Sequence, residues 1–580
     1  MTAPSNSSST AMSGRYENKY HEYTAVILAA TVGTRLFPLT DASATGIPKH
    51  LLPVAGVPIL QRLLHQLAKG SFAQCVVAIA QDDEQTINFL RNEINNQKDW
   101  REVSIDASAS TAAKEGGPSP SDPGASSAPD MSAASIALQL DIGDGAFQIC
   151  VVRLAEEGEG SVGAVNQVEE TGIISPKSSI VVLPGDLVLL DDGSENNEGT
   201  NQSALSGLIH AHRLSQSTGT PAACAMLLSD MGEQDENGMP LKESAKQKKG
   251  GFAREQDDIE YIALSYSNSP KNKDAAPRVV WKQSKLEAEE DKDMTGQTPK
   301  LQMPKPRLRM GEITRVRTDW TDVHVYVLSP WVRQLLMIRN KSDSDQEKAQ
   351  ATLISFVDDV LPLLISRQFL GISETFGSHL EPPHVEELLR NLSLQNSAQS
   401  PTATVALSTS SNYSDPNSGE AIASKRFDSM KSYSVIAHVQ NTAFRSATIS
   451  AYLYASKDLV AKAAAAGNEE ALMLPENASM RSKFQSVVLP GCKLGDKVTF
   501  KSTIVGRNCT LGSKCRLNNV ILLDGATLGD QVSLQNTIVG RGATIGDNCS
   551  LNDCQVAPGK EVPTGTKAKG EALANEVGFE

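Results

Sequence analysis

The sequence has no Cys-x-x-Cys pair, so the common zinc frameworks that need one are excluded. Its eight cysteines (75, 150, 224, 492, 509, 515, 549 and 554) are scattered, which suits free thiols in a reducing compartment. Positive charge is in deficit. The net charge of -14 opposes a phosphate backbone and argues against direct nucleic-acid binding, although Lys246 to Lys249 form a short basic run. No stretch reaches the roughly 18 apolar residues of a membrane span. The first twenty residues are Ser/Thr-rich without an apolar run, so no signal peptide is expected and the cytosol is the expected location. No histidine follows His438, which removes the usual acyl-transfer base from the C-terminal part.

With 40% hydrophobic residues the chain can still fill a large core. Residues 1–22 read as a disordered tail. An α/β domain is expected over 23–470. Short, nearly continuous apolar runs such as YTAVILAA (23–30), CVVAIA (75–80) and SIVVLP (179–184) fit strands buried on both faces. Leu63, Leu64 and Leu67 lie at helical spacing before Gly70, so the first strands make a βαβ unit with a mostly parallel sheet. Four polar or Ser/Pro/Gly-rich stretches, about 106–134, 229–256, 284–300 and 392–430, cannot bury enough apolar surface to offset ordering entropy and read as disordered insertions.

From Val488 onward the pattern repeats every 17 residues. Leu494, Leu511, Leu528 and Ile545 form one series, each followed by Gly. Phe500, Leu517, Leu534 and Leu551 form a second, and Val488, Val505, Leu522, Val539 and Val556 a third. Small residues recur four places after the apolar ones (Cys509, Cys515, Ala526, Val532, Ala543, Cys549). Three inward residues per turn imply a stacked triangular β-helix over 484–573 with these residues as its core, and the glycines are expected at its corners. The hexapeptide spacing resembles that of left-handed β-helices in acyltransferases and nucleotidyltransferases, and the expected handedness comes from that resemblance.

Near the N-terminus, TVGTRLFPLT followed by PKHLLPVAGVPIL resembles the signature of sugar-nucleotide pyrophosphorylases. Gly33, Thr34, Arg35, Leu36, Pro38, Leu39, Thr40, Pro48 and Lys49 match it. Glycines there let backbone N–H groups approach phosphates, and Arg35 and Lys49 oppose their charge. The chain departs from the signature at Thr31–Val32, where a Gly is usual, and at His50. The resemblance also implies two acidic metal ligands. Asp186 of PGDLVL matches the first. The second belongs in an aromatic-x-Asp-x-Gly segment that is missing, with Asp319 and Asp322 the nearest acidic candidates. Gly33, Thr34, Arg35, Lys49 and Asp186 are therefore read as a vestigial phosphate site without a metal or cofactor.

An α/β nucleotidyltransferase-like domain followed by a β-helix also resembles the gamma subunits of eukaryotic translation initiation factor 2B. RTDWTDVHVYVLSPWV (317–332), DVLPLLISRQF (359–369) and LNDCQVAPGKEVPTGTKAKGEAL (551–573) carry that likeness. It implies a non-catalytic subunit that pairs with the epsilon and other subunits of initiation factor 2B, with initiation factor 2 as the exchange substrate of the complex. It implies neither a nucleic acid nor a membrane as partner. The alternative is an active or regulatory NTP–sugar-phosphate nucleotidyltransferase (pyrophosphorylase) subunit.

Overall fold

The computed structural model describes residues 21–31, 33–40, 46–70, 72–96, 100–103, 135–142, 147–155, 160–189, 203–216, 221–230, 259–266, 276–286, 315–340, 353–368, 433–467, 472–475 and 477–574. The expected tail and the four expected insertions lie outside the described residues, apart from a few flanking positions, as does the basic run at Lys246 to Lys249.

The first part is built on strands β1 (Tyr23–Leu28), β2 (Gln74–Ile79), β3 (Trp100–Glu102), β4 (Ser135–Ile142), β5 (Phe147–Arg153), β6 (Ser179–Pro184), β7 (Leu187–Leu189), β8 (Ala222–Asp230), β9 (Glu260–Ser265), β10 (Arg278–Ser284), β11 (Arg315–Arg317), β12 (Trp320–Leu328), β13 (Ser434–Gln440) and β14 (Ala443–Arg445). Twelve of these form one sheet in the order β11-β9-β10-β13-β8-β12-β6-β1-β2-β5-β4-β3. The expected parallel sheet is its centre, where β6, β1, β2 and β5 run parallel in unbroken register. Antiparallel pairs extend it on both sides. The short β7 and β14 pair with each other apart from the main sheet.

Helices cover both faces, which explains why the central strands read as continuous apolar runs. Ala25 and Ile27 of β1 join one core with residues of helices α1 (Ile59–Lys69), α2 (Glu84–Asn96), α4 (Ala204–Gln216) and α7 (Ile449–Ala466). Val26 turns to the opposite core with α3 (Gly160–Glu170), α5 (Pro330–Asn340) and α6 (Leu361–Arg367). Helix α6 is entered through a π-helical turn at Phe356–Val360. Gly70 ends α1 by donating its N–H to the Gln66 carbonyl, and Thr448 caps α7 by accepting from the Ala451 N–H.

The C-terminal repeat forms three parallel sheets whose registers advance by 17 residues per coil. Leu494, Leu511, Leu528, Ile545 and Val562 stack on one another, as do Phe500, Leu517, Leu534, Leu551 and Ala568. Val488, Val505, Leu522, Val539, Val556 and Leu573 form the third stack. Each expected series therefore lies in one sheet, and one more coil continues all three. The expected core is buried except at its beginning: Leu494 is 39% exposed whereas Leu511 and Leu528 are 2% exposed, because no coil precedes Leu494 in its sheet.

The glycines after Leu494, Leu511, Leu528 and Ile545 are not the corners. A Cβ on Gly495 would come within 2.6 Å of the Gly512 backbone, so these glycines allow close stacking of coils. The left-handed corners fall on Lys497, Lys514, Gln531 and Asn548, on Ser502, Asn519, Asn536 and Asp553, and on Asn508, Gly525, Gly542 and Gly559, so the expected glycine corners are found in the third set. Along the second set the Asn519 amide donates to Asn536 at 2.9 Å and the Asn536 amide to Asp553 at 2.8 Å, tying successive corners together.

The β-helix is not a separate body hanging from the first domain. In one of its sheets alternate residues part company: Val505, Leu522 and Val539 point into the prism, while Ile504, Ile521 and Ile538 join the core that holds Tyr452 and Leu459 of α7.

Candidate functional site

The candidate residues meet where β1 and β6 end, at the carboxyl edge of the parallel strands, the usual ligand position in open α/β sheets. The chain leaves β1 and turns through a short 3-10 helix at Thr34–Leu36. Thr40 donates its hydroxyl to the Gly33 carbonyl at 2.5 Å, which closes the loop. Pro48 then starts a second 3-10 turn, Lys49–Leu51, that buries Lys49. A Cβ on Gly33 would lie 3.1 Å from the Lys49 Cβ, so the loop rests directly on the lysine. Thr34 and Arg35 sit on the exposed side of their turn.

Asp186 follows β6 and is only 1% exposed. Lys49 donates to its Oδ2 at 3.3 Å. Arg445, at the end of β14, donates Nε to Oδ1 at 3.0 Å and Nη2 to Oδ2 at 2.9 Å, a bidentate fork. Ser446 fixes the same loop by donating its backbone N–H and hydroxyl to the Asp186 carbonyl at 2.9 and 3.0 Å. Burial alone would raise the Asp186 carboxyl, but Arg445 and then Lys49 overcome it and hold the group far below the usual carboxylate range.

The network continues inward. Arg445 Nη1 donates to His324 Nδ1 at 2.9 Å. Burial, reinforced by Arg445, lowers His324 to about 3, so the ring is neutral and accepts. His324 is held in a left-handed backbone conformation (φ 58°), and its N–H donates to Asp322 Oδ1 at 2.8 Å. Lys282 and Tyr326 donate to the other Asp322 oxygen at 2.9 and 2.8 Å, and Lys282 also pairs with Glu260 at 2.9 Å. Burial raises Glu260. At Asp322 it is outweighed by Lys282, which lowers that carboxyl.

Of the residues expected from sequence, Gly33, Lys49 and Asp186 are thus brought together. The two acidic candidates for a second ligand are not. Asp319 is bound by the Arg317 guanidinium, and Asp322 is committed to Lys282, Tyr326 and the His324 N–H. The residue that does reach Asp186 is Arg445, which sequence reasoning missed. No local motif announced it: Ala443–Phe444–Arg445–Ser446–Ala447 lies late in the domain but carries neither the aromatic nor the glycine of an aromatic-x-Asp-x-Gly segment around Arg445. A divalent ion in this fold needs carboxylate oxygens. Here both oxygens of Asp186 are occupied by cations and no second carboxylate joins it, so the residues present do not fit a two-carboxylate Mg²⁺ site. Among the described residues no group of three or more His, Cys, Asp or Glu side chains is arranged to hold a metal ion.

Comparison with known proteins bears on the class of the α/β domain: residues 24–198 match the nucleotidyl transferase family. Residues 480–569 match the GMPPB C-terminal domain, which covers most of the β-helix. Among individual proteins, the chain is similar to the bifunctional protein GlmU of Methanococcus aeolicus, 41% identical over 68 residues, which is 12% of this chain and 15% of that protein. The chain therefore spans about 15% of the length of the curated relative it matches. These likenesses contradict the expectation that the chain is not an enzyme, because the family matched by residues 24–198 is one of nucleotidyl transfer. Among the described residues no helix is long and apolar enough to cross a membrane.

Proposed function

We propose that the chain is a nucleotidyltransferase of the NTP–sugar-phosphate (pyrophosphorylase) type, working alone or as a regulatory member of such a pair. The observation that carries this is the meeting of the Gly33 loop, Lys49 and Asp186 at the carboxyl edge of β1 and β6, inside the segment that matches the nucleotidyl transferase family. In the reaction a sugar-phosphate oxygen attacks the α-phosphorus of the nucleotide, and pyrophosphate leaves. Lys49 and Arg445 supply positive charge where negative charge accumulates, and Asp186 holds both cations in position before the substrate arrives. Gly33 lets backbone N–H groups approach the phosphates. The test is pyrophosphate release by the full chain from common NTP and sugar 1-phosphate pairs. Saturable turnover that collapses in Lys49→Gln supports an active enzyme, absence of turnover with every pair removes it, and absence of saturable sugar-nucleotide binding as well removes the regulatory form.

A second reading is favoured by one observation, the Arg445 fork on Asp186 and its extension through His324 to Asp322. That network occupies the 317–332 segment whose likeness is to gamma subunits of translation initiation factor 2B. On this reading the chain assembles with the epsilon and other subunits of that factor, and initiation factor 2 is the exchange substrate of the complex. Affinity purification of the tagged chain separates the two readings: stoichiometric recovery of those subunits supports the second, and recovery of the chain without them removes it.

A further inference from the structure

Two cations converge on one carboxylate in this cleft, and the imbalance has a chemical consequence. Lys49 spends one ammonium N–H on Asp186 and retains two donors, in a side chain only 9% exposed. Arg445 spends Nε and Nη2 on Asp186 and one Nη1 N–H on His324, so its fork also keeps donors, on the side chain that is 24% exposed. His324 is neutral and adds no compensating charge. Further inward Lys282 is shared by two carboxylates, Asp322 and Glu260, and burial raises the Glu260 carboxyl. At its outer end, beside the Gly33 loop, two cations thus face the one carboxylate of Asp186 among the described residues, whereas the inner end pairs one lysine with two carboxylates. An anion with several acceptor oxygens can take the remaining N–H groups of Lys49 and Arg445. A divalent cation at the same point faces an arginine and a lysine across an already saturated carboxylate.

We propose that Arg445 acts as a built-in cation, so that this cleft binds the polyphosphate part of a nucleotide on Lys49 and Arg445 without a divalent metal ion. The inference rests on the nucleotidyltransferase reading for the class of ligand, and it can fail separately from it. The ligand class is a di- or triphosphate. A monophosphate reaches fewer of the donors.

The experiment is calorimetric titration of the full chain with inorganic pyrophosphate, then with GTP, in chelator and again in millimolar Mg²⁺. Saturable binding in chelator, no weaker than about threefold relative to Mg²⁺, is expected, and Arg445→Gln should weaken it by about tenfold or more, the loss of one charge-assisted bond. Arg445→Lys keeps the charge and should retain most of the affinity, which separates lost charge from lost folding. Thermal melting of each variant checks that separation. Arg445→Asp should make what binding remains depend on Mg²⁺. No saturable binding in chelator, a requirement for Mg²⁺ in the unaltered chain, or equal affinity in a folded Arg445→Gln overturns the proposal. Turnover that needs Mg²⁺, without metal-free binding, would sink this inference and leave the functional reading standing. Metal-free binding without turnover would do the reverse.

Discussion

The β-helix and the α/β domain solve the same packing problem by different means. In the β-helix the strand pairing repeats every 17 residues, so Leu511 meets Leu528 and Leu528 meets Ile545. A local rule, repeated, specifies the whole object. In the α/β domain the decisive contact joins Asp186 to Arg445 across 259 residues. No repeat announces it, and its energetics are those of buried charge rather than of apolar area. The comparison teaches that the repeat tolerates damage coil by coil, whereas the site stands or falls as one charge network.

The largest effect should come from the network. Asp186→Ala leaves Lys49 and Arg445 buried without their common partner and should cost about 4 kcal/mol, read as the urea midpoint of the full chain. A change below about 1 kcal/mol would show that the cluster is hydrated and loosely held. In the repeat, Leu528→Ala removes a side chain that is 2% exposed and should cost about 3 kcal/mol. The same substitution at Leu494, equivalent in the repeat but 39% exposed, should cost under about 1 kcal/mol. Equal losses at the two positions would mean that Leu494 is covered in solution.

Acid should act on the α/β domain first. Burial holds His212 at about 3, against 6.5 when exposed. The unfolded chain therefore takes up a proton below pH 6.5 and the folded chain does not. Stability falls as pH drops from 6.5 toward 3, by about 2 kcal/mol at pH 5 from this residue. Asp186 works at a lower window: its depressed carboxyl stabilises the fold above pH 3.8 and loses that contribution as pH falls further. Melting curves at pH 7 and pH 5 should differ, and His212→Gln should reduce the difference by about half, because His324 is held as low. The smallest expected effect is at a corner. Asn536→Ala removes two links of the ladder from Asn519 to Asp553 and should cost about 1 kcal/mol. An unchanged melting point would make the ladder decorative.

The same contrast governs what could be read in advance. The three series of the β-helix were legible because spacing alone dictates stacking. What escaped was which glycines turn (Gly525, Gly542, Gly559) and which let coils approach (Gly495, Gly512, Gly529, Gly546), since both demands favour Gly and only coordinates separate them. Central strands such as β1 and β6 were legible as apolar runs because both faces are covered. Strand β4, next to the edge of the sheet, and the pair β7–β14 escaped because they are short or carry no clean alternation. At the site, Gly33, Lys49 and Asp186 were found from local motif. Arg445 was not, because the search was for a carboxylate and the chain supplies the opposite charge. The docking of Ile504, Ile521 and Ile538 against α7 was also hidden: two adjacent apolar residues in a coil read as one inward position and a chance neighbour.

The most direct test of the central claim is pyrophosphate release by the unaltered full chain and by Lys49→Gln, measured side by side over a panel of NTP and sugar 1-phosphate pairs. The account predicts saturable release with at least one pair, reduced about tenfold or more by the substitution, the worth of a charge-assisted contact in the transition state. Release indistinguishable from buffer with every pair, from protein that melts cooperatively, would contradict it.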